Sequence, residues 1–209
     1  MKRVLILMSA LALSACISLL PKPPPAPRTF VMEAGDVAAA AGTPVDAVIN
    51  VADPSGERSI LGNLLVWRTG DELAYVDQTQ WSTRAEDALQ QMLVETLSAQ
   101  HRFRAAARSG EAAATYEVRW EVLEFSVQQN DMSAHFRADV KLVASPGRRV
   151  VAQRMIETSA PVASRSATLA SQALTKAARD ATAQIAAFAA DAALQDQLSQ
   201  APTTEAPQH

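Results

Sequence analysis

Cysteine is almost absent from this chain: of 209 residues, Cys16 alone carries a thiol. A lone cysteine excludes an internal disulfide, so the fold must be held by noncovalent contacts. Glycine is scarce too, at seven residues, which leaves few of the strained turns that active sites often use. No basic excess exists, since 19 Lys and Arg stand against 22 Asp and Glu. That balance excludes the positive face or stripe that nucleic acid requires. His101 and His135 fall in different segments, and neither a His-Glu-x-x-His spacing nor a Cys/His cluster is present to hold a metal. The Gly-x-Ser-x-Gly elbow and the glycine loops that cradle phosphates are also missing. Ser55 before Gly56 and Ser109 before Gly110 read as turn residues. No catalytic residue, metal ligand or cofactor motif is left to nominate, and an enzyme is not expected.

The one cysteine sits in an informative place. Lys2 and Arg3 precede an apolar core from Val4 to Leu13, then the small residues Ser14 and Ala15, then Cys16. Positive end, apolar core and small residues at the cut are the parts an export signal needs. The tetrapeptide Leu13-Ser14-Ala15-Cys16 resembles the lipobox of a bacterial lipoprotein, which makes residues 1–15 a signal peptide and Cys16 the first mature residue. In lipoproteins of this kind the thiol receives a diacylglyceryl group and the new amino group is acylated as well, by palmitate or a similar chain. Two or more chains anchor stably where one binds reversibly. The competing reading is an uncleaved anchor with a bystander cysteine, because Val4 to Leu20 is seventeen mostly apolar residues, near the lower limit for a span. Ile17 is not the Asp that favours inner-membrane retention in enterobacterial lipoproteins, which points to the periplasmic face of the outer membrane.

Residues 16–27 read as a tether. Five prolines between Pro21 and Pro27 can neither pair in a sheet nor continue a helix, and polyproline II geometry makes the segment a semi-rigid spacer of roughly 20–30 Å. Residues 199–209, with Pro202 and Pro207, read as a disordered tail. Between them, 28–198 is one domain, enough for a single core. Removal of Lys2 and Arg3 with the signal moves the formal net charge from -3 to -5.

Within the domain, Arg28 to Ala34 and Ala47 to Val51 are expected strands, and Asp53-Pro54-Ser55-Gly56 an expected turn. Ile60 to Arg68 and Leu73 to Asp77 read as a hairpin about Thr69-Gly70-Asp71-Glu72. Thr83-Arg84-Ala85-Glu86 has capping-box spacing, and Leu89, Met92, Leu93 and Leu97 then recur at helical intervals. Tyr116, Val118, Trp120 and Val122 alternate with Glu117, Arg119 and Glu121, and the phase slips at Leu123, as at a bulge. Phe136, Ala138, Val140 and Leu142 alternate with charged residues in the same manner, and Pro146-Gly147 turns the chain into a strand from Val150 to Thr158. Thr168 to Leu194 is an alanine-rich helix. Tyr75, Trp81, Trp120 and Trp67 read as core packing before binding surface. The sum is an α+β domain: a mixed, mostly antiparallel sheet with two main helices on one face.

The segment Leu64 to Asp77, then Gln80-Trp81 and the helix ending Leu93-Val94-Glu95-Thr96-Leu97, resembles the ABC-type transport auxiliary lipoproteins, the PqiC-like family. Tyr116 to Phe125, Ala134 to Leu142, Arg149 to Arg154, Pro161-Val162 and the final helix follow in that family's order. The resemblance implies a non-catalytic lipoprotein working with an MCE-domain protein and an inner-membrane permease and ATPase that move phospholipid or other apolar molecules. It implies docking or scaffolding at the outer membrane, in a fold whose members can form homo-oligomers. Tyr75 and Trp81 are its signature residues, with a role that is structural or functional, and Cys16 is the position that maps as functional. A second class is an envelope assembly lipoprotein, either a cell-wall synthase activator or an export-channel subunit, since fold alone does not decide function. An anchored hydrolase comes third, lacking a nucleophile motif.

Replacing Cys16 by Ser is expected to abolish incorporation of radiolabelled fatty acid and to leave an unprocessed precursor on a denaturing gel; normal labelling of C16S would overturn the lipobox reading.

Overall fold

The alternation that starts at Tyr116 becomes the strand around which the sheet is assembled. In the computed structural model, which describes residues 25–200, the strands are β1 (Arg28–Phe30), β2 (Val45–Val51), β3 (Ser55–Gly56), β4 (Val66–Thr69), β5 (Glu72–Tyr75), β6 (Thr79–Trp81), β7 (Phe103–Arg108), β8 (Tyr116–Gln128), β9 (Ser133–Ala144) and β10 (Arg149–Pro161). The helices are α1 (Arg58–Leu61), α2 (Ala85–Gln100) and α3 (Ala167–Gln200). The signal peptide, Cys16 and the tail beyond Gln200 lie outside the described residues.

One edge of β8 pairs antiparallel with β9, and β9 pairs antiparallel with β10. The other edge of β8 is shared along its length by three short parallel partners: β2 at Tyr116–Val118, β3 at Glu121–Val122 and β4 at Val127–Gln128. β7 adds to the far side of β2, again parallel, and β5 folds back on β4. The expectation of a mostly antiparallel sheet is therefore corrected: the sheet is mixed. Strand alternation reports which face is buried and carries no direction. Direction comes from the connections, and the chain between the adjacent parallel strands β2 and β7 returns through α2, the crossover that parallel pairing requires. β1 and β6 form a separate parallel pair.

Several local expectations change for physical reasons. Ile60 to Arg68 is not one strand; Arg58–Leu61 makes a helical turn that buries Ile60 and Leu61, and β4 begins at Val66. The capping box does not form: Arg84 is the N-cap of α2 without a side-chain bond, the Ala85 amide donates to the Gly62 carbonyl at 2.9 Å, and Glu86 pairs with Arg84 instead. The Asp53 to Gly56 turn is in part a strand, since Ser55 and Gly56 pair with β8. Only glycine fits there, because a Cβ on Gly56 would stand 2.5 Å from the Val122 carbonyl oxygen. The final helix continues through Ser199 and Gln200, two residues placed in the tail by composition. The slip at Leu123 is a bulge, with register passing from Val122 to Glu124.

Between the sheet and α2 with α3 lies one core. Trp81 stacks on Phe125 at 6.3 Å, Phe125 meets Phe136 edge-on at 6.0 Å, and Trp120 lies 6.5 Å from Phe136. Along α3 the buried face is largely alanine, including Ala170, Ala177, Ala181 and Ala189 at 0% exposure. Small side chains let the helix axis approach β8, β9 and β10 closely, and dense packing leaves no room for added methylenes. Arg102, 5% exposed, ties the loop before β2 to α3 by donating to the Thr43 and Ala41 carbonyls and to Asp191 at 3.1 Å.

Ala181→Leu is expected to cost about 1–3 kcal/mol by overpacking, and Trp81→Ala about 3–5 kcal/mol by opening a cavity. Urea unfolding followed by far-UV circular dichroism measures both. A stability equal to wild type for A181L would show that the helix is free to move off the sheet.

Candidate docking site

The helix-free face of β8 and β9 carries the charged half of their alternation. Pairing places Arg119 directly opposite Lys141, and Glu121 directly opposite Asp139. Like charges in facing positions destabilise a sheet by a few tenths of a kcal/mol to about 1 kcal/mol, so these two facing pairs do not themselves serve stability. Partial relief comes along the strands: Arg119 pairs with Glu117, and Lys141 with Asp139 at 3.2 Å. Gln153 of β10 donates to both Asp139 oxygens at 2.8 and 2.9 Å. The result is a positive band, Arg119 and Lys141, beside a negative band, Glu121 and Asp139.

Both bands line a groove. One open depression of about 640 Å³ joins Arg119, Lys141 and Arg148 to Asp53, Glu121 and Asp139. A second of about 360 Å³ shares Glu117, Arg119, Val143 and Arg148 with it and extends to Asn50 and the loop at Ala112 to Ala114. Asn50 is buried, its amide donates to the Ala112 carbonyl at 2.9 Å, and its Oδ1 has no partner among the described residues. Burial alone would raise the Glu117 carboxyl, but hydrogen bonds from Ser109 and Arg119, with the charges of Arg119 and Arg148, hold it below the usual range. Glu117 thus keeps its charge to lower pH than a free glutamate does.

A buried clamp positions the end of the groove where Arg148 stands. Asp196 of α3, with its side chain 6% exposed, accepts from Arg149 at 2.7 and 2.9 Å, from the Tyr116 hydroxyl at 3.1 Å and from Gln200 at 2.7 Å. It joins the last turn of α3 to the first residues of β8 and β10. Burial opposes ionisation of Asp196, yet the hydrogen bonds from Arg149, Gln200 and Tyr116 prevail and lower its pKa. Burial pushes the Tyr116 hydroxyl up to about 12, reinforced by its bond to the Asp196 carboxylate.

The residues singled out by sequence separate here. Trp81 is core, at 3% exposure, while Tyr75 at the end of β5 is 49% exposed and lines a different pocket. The core reading therefore holds for Trp81 and Trp120 and is corrected for Tyr75; Trp67 is half-buried. Trp120 donates its indole proton to the Ala52 carbonyl at 2.9 Å. Cys16, with Leu13, Ser14 and Ala15, lies outside the described residues. His101 is the left-handed cap of α2, and His135 bonds Asp131 at 2.8 Å on the surface. No group of three or more His, Cys, Asp or Glu side chains is placed to hold a metal among the described residues, and none of their helices is long and apolar enough to cross a membrane. The groove itself was missed, because each charged beat on its own reads as a solvated face; the signal was there in two adjacent strands whose charges alternate in sign every second residue.

Known structures share this architecture. A Xanthomonas campestris protein superposes with TM-score 0.76 at 23% identity, over 81% of this chain and 98% of that one. A hypothetical protein of Chlamydia trachomatis superposes with TM-score 0.53 at 11% identity, over 72% and 99%. At such identities the likeness is one of fold. No curated protein matches the sequence. Residues 30–187 match the family described as ABC-type transport auxiliary lipoprotein component.

The clamp has a definite pH signature. Asp196 has a lowered folded pKa, so its contribution is present above the unfolded value of about 3.9 and is lost as pH falls through the folded one. Tyr116 has a raised folded pKa, so its contribution is present below about 10 and is lost as pH rises through about 12. Asp196→Asn is expected to lower stability at pH 7 by about 1–3 kcal/mol, with the gap to wild type closing on acidification. Urea titrations at stepped pH test this; a gap independent of pH would exclude the charged clamp.

Proposed function

Because the chain belongs to the family of ABC-type transport auxiliary lipoprotein components, we propose that it is a non-catalytic, lipid-anchored subunit of an intermembrane lipid transport system. In this reading Cys16 anchors it to the periplasmic face of the outer membrane, and the tether lifts the domain toward an MCE-domain protein served by an inner-membrane permease and ATPase.

The observation that supports docking is the like-charge register of β8 against β9. A partner segment bearing carboxylates opposite Arg119, Lys141 and Arg148, and cations opposite Asp53, Glu121 and Asp139, relieves the repulsion within each band and gains charge-assisted hydrogen bonds. Such complementarity selects the partner and its orientation more than it adds raw affinity. The groove is polar and preformed, as suits a surface that holds another protein in register.

Affinity purification of the full chain from gently solubilised envelopes is expected to recover the MCE protein with its permease and ATPase. Lys141→Glu combined with Arg148→Glu is expected to reduce recovery about tenfold or more, equivalent to about 1.4 kcal/mol, with the circular dichroism spectrum unchanged. Absence of the MCE protein from the wild-type sample would overturn the transport assignment, and full recovery with the variant would overturn the groove as its docking site.

A further inference from the structure

Tyr75 is left unexplained by the groove, and its surroundings form a second site. An open pocket of about 450 Å³ lies among Arg58, Ser59, Asn63, Leu64, Tyr75 and Arg84. Two arginines and no acidic residue are among its lining residues. Arg84 is held by Glu86 and Ser59 donates to Glu57 at 3.1 Å, whereas Arg58 forms no ion pair among the described residues. Beside these cations stand two exposed apolar groups, Leu64 at 38% and Tyr75 at 49%.

The walls are fixed by main-chain bonds. The Trp81 amide donates to the Asn63 carbonyl at 2.7 Å and the Ala85 amide to the Gly62 carbonyl at 2.9 Å, while Tyr75 is held opposite Val66 in the β4–β5 hairpin. The loop that carries Leu64 is thereby pinned between the buried Trp81 and the start of α2. Guanidinium groups match the oxygens of a phosphate, and an adjoining leucine and tyrosine match the apolar part of an amphiphile. The place is also apt: the Arg28 amide donates to the Gln78 carbonyl at 2.8 Å, so the tether joins the domain three residues from Tyr75 in sequence.

We propose that this pocket binds the phosphate of an anionic phospholipid of the membrane to which the chain is anchored, with Arg58 and Arg84 on the phosphate and Leu64 and Tyr75 against the glycerol and first acyl carbons. The choice of membrane as the source rests on the anchored reading; the pocket does not. A headgroup held here adds a second attachment to the N-terminal acyl chains, as membrane anchoring by two signals does, and it fixes which side of the domain faces the bilayer.

Native mass spectrometry of the detergent-solubilised full chain tests this with phosphatidylglycerol, phosphatidylcholine and inorganic phosphate as separate probes. One phosphatidylglycerol per chain is expected, retained above phosphatidylcholine, with inorganic phosphate released. Arg58→Gln with Arg84→Gln is expected to lower that retention about tenfold or more, Tyr75→Ala to lower it less, and Arg104→Gln, on the remote strand β7, to leave it unchanged. Unchanged retention in the double variant, equal retention of the two lipids, or inorganic phosphate held as firmly as lipid would each overturn the proposal. Recovery of transport partners is a separate readout, so failure of either idea is recognisable without the other.

Discussion

The pairing of β8 is the constraint on which the rest of the structure depends. One of its edges is occupied by a single long partner, β9, and the other by three short strands laid end to end in parallel. A strand paired in this manner must be straight enough to serve β9 and yet accommodate three arrivals from different connections. The bulge at Leu123 reconciles the two demands, since it falls between the segment that receives β3 and the segment that receives β4. It also turns Phe125 into the core, where it meets Trp81 and Phe136.

That same strand has two faces with opposite tasks. Toward the helices it presents Val118, Trp120, Val122 and Phe125, which are buried. Away from them it presents Glu117, Arg119 and Glu121, and β9 confronts Arg119 and Glu121 with residues of like charge, Lys141 and Asp139. The burial of the first set offsets the modest electrostatic cost of the second, since each fully buried large apolar side chain contributes about 1.5–3 kcal/mol and each facing like pair costs no more than about 1 kcal/mol. A groove with unsatisfied electrostatics is tolerated because the core beneath it is secure.

How far the sequence could be read follows from the same geometry. Alternation made β8 and β9 legible residue by residue, down to the slip at Leu123, and helical spacing made α2 and the start of α3 legible, while α3 runs six residues past the Leu194 at which its spacing was read to end. β7 was not foreseen, because the three consecutive alanines in Phe103-Arg104-Ala105-Ala106-Ala107-Arg108 blur the alternation and favour strand weakly, and its strand state comes from pairing with β2. Ile60 and Leu61 are apolar in a helical turn as they would be in a strand, so a short run could not tell the two apart. Strand direction was equally invisible, being a property of connections. For the sites, the paired charges of the groove became meaningful only once register set Arg119 against Lys141, and Tyr75 could not be told from its neighbour Trp81 until one proved exposed and the other buried.

The small parallel pair of β1 with β6 gives the molecule a defined load path. A pull on the chain N-terminal to Arg28 does not reach the large sheet directly; it falls first on three register positions, Arg28 to Phe30 against Thr79 to Trp81, and on the bond from the Arg28 guanidinium to the Thr168 hydroxyl. Behind these stands Trp81, seated on Phe125. The domain therefore meets tension first at a short parallel zipper, which hands the load on through Trp81 and Phe125 to β8.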